Sequence, residues 1–300
     1  MNSTATFVGP ILGGAFILKE FHLSDFPSLA DMNMAKAEAV QGPYLILALV
    51  TIAIAGILFM TRLPKLSSEK AIGEEVEGSA WDYKHLIYGS GAIFFYVGAE
   101  VAIGSLLVLY LAQDEMGNIP EKLASSLLAY YWGSAMIGRF IGSAVGQKIK
   151  ANVLLSIVSV IALGLIILSM LGFTLTTWVS VPVMNILPET GGIMDFSPVK
   201  VPLSAVLLVL VGLFNSVMWP AIFPLGIAKL KKHTSQGSGI MVMMVFGGAV
   251  IPLLQGFVAD AIGYRFSFII CLFCYAYILW FALKGYKAGK ISTMIDSEEE

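Results

Sequence analysis

The apolar residues of this chain are gathered into stretches of membrane-crossing length, grouped as two, then a charged interval, then six. Runs of about 18 or more apolar residues can cross the hydrocarbon layer. Such runs fall at roughly 4–21, 43–61, 86–112, 126–147, 152–174, 202–228, 237–262 and 266–283. In hydrocarbon every backbone N–H and C=O must find a partner within the protein, which leaves helices or a closed barrel. Barrel strands alternate apolar and polar residues over about ten positions, and these runs are continuous. The expected fold is therefore an all-α polytopic bundle with eight transmembrane helices.

Composition agrees with this reading. Only 13% of residues are charged against 57% hydrophobic, so the lipid bilayer is the expected main solvent and partner. A net charge of −2 with no basic tract speaks against a nucleic-acid partner. The cations are sorted by side. With the chain starting inside, the inner flanks hold twelve (Arg62, Lys65, Lys70, Lys84, Lys148, Lys150, Lys229, Lys231, Lys232, Lys284, Lys287 and Lys290). The outer flanks hold five (Lys19, Lys36, Lys122, Lys200 and Arg265), and Arg139 lies within a span. By the positive-inside rule both termini and the 62–85 interval are expected to be cytoplasmic. The first run has no basic leader and carries Gly9-Pro10 and Gly13-Gly14 in its middle, so it reads as a retained helix and not a cleaved signal.

Along the chain, 175–200 reads as one long external loop, and the inner turns at 147–151 and 229–236 are short. The tail 291–300 is acidic. Ser134, Gly138, Gly142 and Gly146 recur every fourth residue in the fourth run; small residues so spaced let another helix approach closely. Gly9 and Gly13, and Gly212 and Ser216, repeat the spacing. Static packing and a sliding surface for a conformational cycle are both open readings. Cys271 and Cys274 lie in the last run with no polar company, and read as small buried or lipid-facing residues.

Glu100 is the exception among the apolar runs. It lies about 21 Å along its helix from residue 86, near the bilayer midplane. An ionised side chain there costs on the order of 2.5–3.5 kcal/mol on insertion scales, so it should face protein or a watery cavity. Tyr96 and Gly104, four residues to either side, share its face. Glu100 reads either as a hydrogen-bonding or proton-handling group for a substrate, or as a carboxyl satisfied by a neighbouring helix. Arg139 reads as a gate or structural clamp beside Gly138, Gly142 and Gly146. In the sixth run, Gly212, Asn215, Trp219, Phe223 and Gly226 fall on one helical face, and Pro220 and Pro224 kink the helix. A midplane amide and an indole on a broken helix suit a sugar: the amide meets hydroxyls and the ring packs on C–H faces. A kinked packing helix is the alternative. Gln255, after Pro252, is a weaker candidate of the same kind.

Catalytic and metal patterns are missing from the sequence. It has no nucleotide-binding P-loop, no His-Glu-x-x-His and no Gly-x-Ser-x-Gly. His22, His85 and His233 all fall in flanking loops by this reading, so no cofactor or metal is expected and an enzyme is disfavoured.

Several segments together resemble the fucose/glucose–galactose permease branch of the major facilitator superfamily. They are Tyr96-Val97-Gly98-Ala99-Glu100-Val101, Ile137-Gly138-Arg139-Phe140-Ile141-Gly142, Pro220-Ala221-Ile222-Phe223-Pro224-Leu225, Lys232-His233-Thr234-Ser235-Gln236-Gly237-Ser238-Gly239, and the stretch from Gly247 to Tyr264. The resemblance implies twelve helices, of which this chain would start at the fifth: residues 1–62 as the last two helices of an N-terminal bundle, 63–85 as the central cytoplasmic loop, 86–290 as a complete six-helix C-terminal bundle. It implies a bacterial inner-membrane hexose transporter working by alternating access, with a proton in preference to sodium as the coupling ion. It also implies that the coupling acids belong to the first and fourth helices, so none is carried over here. A non-transporting remnant of such a permease is the alternative. Glu100, Tyr96, Asn215, Trp219 and Gln255 are the expected sugar-binding residues, and Arg139, Gly138, Gly142 and Gly146 the gating or structural ones.

Overall fold

The computed structural model describes residues 2–16, 25–61, 78–187 and 193–289. Its helices are α1 (Asn2–Phe16), α2 (Leu29–Met60), α3 (Lys84–Leu111), α4 (Glu121–Gly146), α5 (Ala151–Ser169), α6 (Gly172–Thr176), α7 (Leu203–Asn215), α8 (Met218–Gly226), α9 (Thr234–Met243), α10 (Gly247–Ile262), α11 (Tyr264–Ser267) and α12 (Ile269–Trp280). A π-helical turn, Phe281–Gly285, follows α12. Among the described residues, six helical stretches are both long and apolar enough to cross a membrane. They are α2, α3, α5, α7 with α8, the stretch Lys231–Ile262, and the stretch Tyr264–Gly285. The expected count of eight is not reached: α1 is described over only 15 residues, and α4 falls short in apolarity because Ser, Gly, Tyr and Arg139 interrupt it.

The bundle is organised around α3, 61% of whose apolar window is buried, more than in any other span. It packs against α10, α12, α8 and α4. Glycines let these backbones close. A methyl on Gly247 would overlap the carbonyl of Phe94, and one on Gly98 would strike Ile251, so α3 and α10 cross at reciprocal glycines. A methyl on Gly89 would stand 2.9 Å from the Gly226 Cα where α3 meets α8. At lipid-facing spans, where the hydrophobic effect between helices is absent, such close backbone packing supplies the dispersion energy that holds them.

The Ser134–Gly138–Gly142 stripe seats α4 on α7 and on the Ser216–Val217 turn that follows it. A methyl at Gly138 would overlap the Leu213 carbonyl, and one at Gly142 would come 2.6 Å from Val217. Gly212, with the Tyr131 carbonyl against it, is the reciprocal contact. Gly146 differs: its nearest neighbour would be Leu154 at 3.8 Å, so no close approach depends on it. The matching expectation for the first helix does not hold at Gly9, which has nothing within 4 Å. There α1 packs on α4 through Phe7, whose ring lies 2.8 Å from the Cβ position of Gly133. α2 is 32 residues long, about 48 Å at 1.5 Å per residue. It therefore starts well before the expected 43, at a Ser28 cap whose hydroxyl accepts from the Asp31 N–H at 3.2 Å, and none of its apolar window is buried.

Two further expectations are corrected. The 175–200 stretch is not an irregular loop. It forms an antiparallel hairpin of β1 (Trp178–Leu187) and β2 (Ile193–Pro202), registered from Trp178 opposite Pro202 to Leu187 opposite Ile193. Valines at 179, 181, 183, 199 and 201 give it β-branched strands; Val183 and Val201 are buried, and Tyr130 of α4 donates to the Pro182 carbonyl at 2.5 Å. His85 is likewise not a loop residue. It is fully buried in the first turn of α3, its Nε2 2.6 Å from the Ala228 carbonyl and its Nδ1 accepting from the Gly289 N–H at 3.4 Å. It ties the starts and ends of three segments together at the lysine-rich face. His22 lies outside the described residues.

Candidate functional site

The break in the sixth span shapes the site. Pro220 has no N–H to offer the carbonyl of Ser216, so the helix is interrupted at Ser216–Val217 and resumes as α8 at Met218. Ser216 and Val217 line the resulting cavity of about 710 Å³, with Trp219 and Pro220 on the same wall. Tyr96, Val97 and Glu100 of α3 form a second wall. Arg139, Gly142, Ser143, Gly146 and Gln147 of α4 form the third, and Val245 completes the lining.

At the deep end Tyr96 donates to Glu100 Oε1 at 3.0 Å. The i to i+4 spacing on α3 makes this pair, as a helix places such residues one above the other. Arg139 faces the same cavity as Glu100. Trp219 stacks on Phe223 with centroids 5.9 Å apart and planes 16° apart, and its ring lies 6.5 Å from that of Tyr96. The cavity thus offers a carboxyl, a phenol and a guanidinium beside an aromatic platform. Such a mixture binds a polyol: charged acceptors and donors take hydroxyls, and the platform takes the C–H face.

The structure redirects two of the expected residues. Asn215 is fully buried and does not line the cavity. Its Nδ2 donates to Tyr131 Oη at 2.9 Å, and its Oδ1 accepts from Tyr275 Oη at 2.7 Å. Tyr131 in turn donates to the backbone carbonyl of Glu100 at 3.0 Å. The one-face projection grouped Asn215 with Trp219, but the Asn215 amide is taken up by tyrosines of two other helices, α4 and α12. Gln255 is also fully buried away from the cavity, donating to Ser267 Oγ at 3.2 Å and accepting from Cys271 Sγ at 3.4 Å. Gly138 sits in the α4–α7 contact, whereas Gly142 and Gly146 line the cavity.

Ser143 and Gln147 line the cavity and Tyr131 supports it from behind Glu100; the sequence reading passed over all three. Ser143 and Gln147 follow Arg139 at intervals of four, a signal available in the sequence. Tyr131 offered only a hydroxyl within a span. Both cysteines are free and buried. Among the described residues no group of three His, Cys, Asp or Glu could hold a metal ion.

No family model matches the chain. It is 39% identical over 288 residues to a glucose/galactose transporter of Brucella abortus, covering 96% of this chain and 62% of the relative. It is 26% identical over 297 residues to the L-fucose-proton symporter of Escherichia coli, covering 94% of this chain and 61% of that protein. The chain therefore spans somewhat less than two thirds of the length of these relatives. In fold it matches the crystal structure of FucP, a major facilitator superfamily transporter in the outward conformation, with a TM-score of 0.64 and 24% identity over 95% of this chain and 66% of that one.

The helical bundle around the half-polar cavity thus shares the fold of that solved structure. In sequence the chain is similar to glucose/galactose transporters and, more distantly, to the fucose-proton symporter.

Proposed function

We propose that the chain carries the sugar-handling part of a secondary active hexose transporter of the glucose/galactose type, with no enzymatic role. The observation that carries this is the Glu100–Tyr96 pair sharing one cavity with Trp219, whose ring is backed by Phe223. Glu100, Tyr96 and Trp219 contact the sugar, and Arg139 sets the field at the carboxyl. Asn215 acts through Tyr131 and Gln255 through packing, in place of the direct contact expected of them. The names of the relatives support sugar transport, and that of the Escherichia coli symporter supports a proton as the coupling ion.

The proposed organisation has residues 1–62 completing one bundle, 63–85 as the cytoplasmic connection, 86–290 as the second bundle and 291–300 as a tail. Eight crossings, counting α1 and α4, put both termini on the cytoplasmic side of a bacterial inner membrane. The two bundles rock about the midplane cavity.

Equilibrium binding of labelled D-galactose and D-glucose to the chain in lipid nanodiscs tests the site. Glu100→Gln and Trp219→Ala are each expected to weaken binding about tenfold or more, and binding unchanged in both would remove the assignment. Uptake into vesicles under an imposed pH gradient, compared with a sodium gradient, separates the two coupling ions.

A further inference from the structure

The cavity does not end at Glu100. Arg139, Ser143 and Gln147 all line it, one from each of three successive turns of α4. Four residues advance a helix by about 6 Å, so this row runs some 12 Å along α4 to its lysine-flanked end. Of the other lining residues, Val217, Pro220 and Val245 offer a sugar no side-chain hydrogen bond, and the Ser216 hydroxyl donates to the Leu213 carbonyl at 2.7 Å. A hexose moving along an apolar passage would leave hydroxyls unpaired, each at about 1–3 kcal/mol. A polar group at every turn removes that barrier without creating a deep trap.

We propose that Arg139, Ser143 and Gln147 form a polar track by which the sugar passes between the Glu100 site and the Lys148–Lys150 end of α4, with Gln147 as its mouth. The Ser143 hydroxyl donates to the Phe140 carbonyl at 2.8 Å, so it presents lone pairs to the passage and serves as an acceptor. Gln147 caps the helix end through its backbone N–H, and its exposed amide is left to offer both donor and acceptor. Gly142 and Gly146 on the adjoining stripe keep the track unobstructed, since neither carries a side chain into it.

The track rests on the sugar site proposed above, and the test separates the two. Sugar association and dissociation rates are measured by stopped-flow tryptophan fluorescence on the chain in nanodiscs, for Gln147→Leu, Gln147→Glu and Glu100→Gln. A passage residue lowers the barrier from both sides. Gln147→Leu is therefore expected to slow association and dissociation together, about tenfold each, while Gln147→Glu stays close to the unmodified chain. Glu100→Gln should instead speed dissociation. Unchanged rates in Gln147→Leu, with Glu100→Gln still weakening binding, would overturn the track and leave the site standing. Faster dissociation alone in Gln147→Leu would make Gln147 a resting contact and also overturn it. No saturable signal from the unmodified chain would overturn both. Circular dichroism and a thermal melt confirm that each variant is folded.

Discussion

Replacing Asn215 by Leu removes the centre of a buried relay while nearly preserving volume. Three hydroxyl or amide bonds run through it in one direction: Tyr275 to Asn215 at 2.7 Å, Asn215 to Tyr131 at 2.9 Å, and Tyr131 to the Glu100 carbonyl at 3.0 Å. Tyr275, Asn215 and Tyr131 are each fully buried. In water the loss of both amide bonds would be replaced by solvent; here nothing replaces them. The Tyr275 hydroxyl is left without an acceptor, at about 1–3 kcal/mol. Interhelical hydrogen bonds within membranes average about 0.6 kcal/mol in coupling, with about 1.7 as the upper end. The orphaned hydroxyl, not the lost bond, should therefore dominate, for a total near 2–3 kcal/mol. The assay is a double-mutant cycle of Asn215→Leu with Tyr275→Phe, read by reversible unfolding in mixed detergent micelles. Tyr275→Phe removes the orphan, so the double variant should be about 1–2 kcal/mol more stable than the sum of the singles predicts. Effects that add within about 0.5 kcal/mol would mean the residues do not interact, and the relay argument would fail.

Gly138→Ala should destabilise the bundle by about 1–3 kcal/mol, because the added methyl overlaps the Leu213 carbonyl, whereas Gly9→Ala meets open space and should be neutral or stabilising; thermal melts in detergent compare them. His85→Phe keeps the ring but loses the bonds to Ala228 and Gly289, so it should cost about 1–3 kcal/mol and raise protease cleavage near residue 289. Cys271 and Cys274 should resist maleimide in the folded protein and label fully only after denaturation, since both are buried; rapid labelling of the native chain would contradict the packing of α12.

Much of the fold was legible because the bilayer leaves few options. Continuous apolar runs such as 152–174 and 266–283 must become helices, and a midplane carboxylate such as Glu100 must face a cavity or a partner. Glu100, Tyr96, Trp219 and Arg139 were singled out this way, each being conspicuous against an apolar background, and all four line one cavity. The hairpin at 178–202 was missed because its prolines and glycines suggested a loop, while the pairing that makes its valines strands is formed between segments.

What the sequence alone determined was the solvent, the secondary structure the solvent permits, and the inventory of polar groups that have to be accommodated. Tertiary structure decided which of those groups meet the cavity and which meet each other. Asn215 and Trp219 are four residues apart with similar credentials as sugar ligands. Asn215 is held inward between two tyrosines from other spans, while Trp219 faces the cavity. Helical periodicity puts the two on one face, and which of them meets a partner from another span depends on packing that no local pattern records. At Gly138, likewise, the spacing announced a close contact, but only the neighbouring Leu213 carbonyl shows that the contact is made with α7.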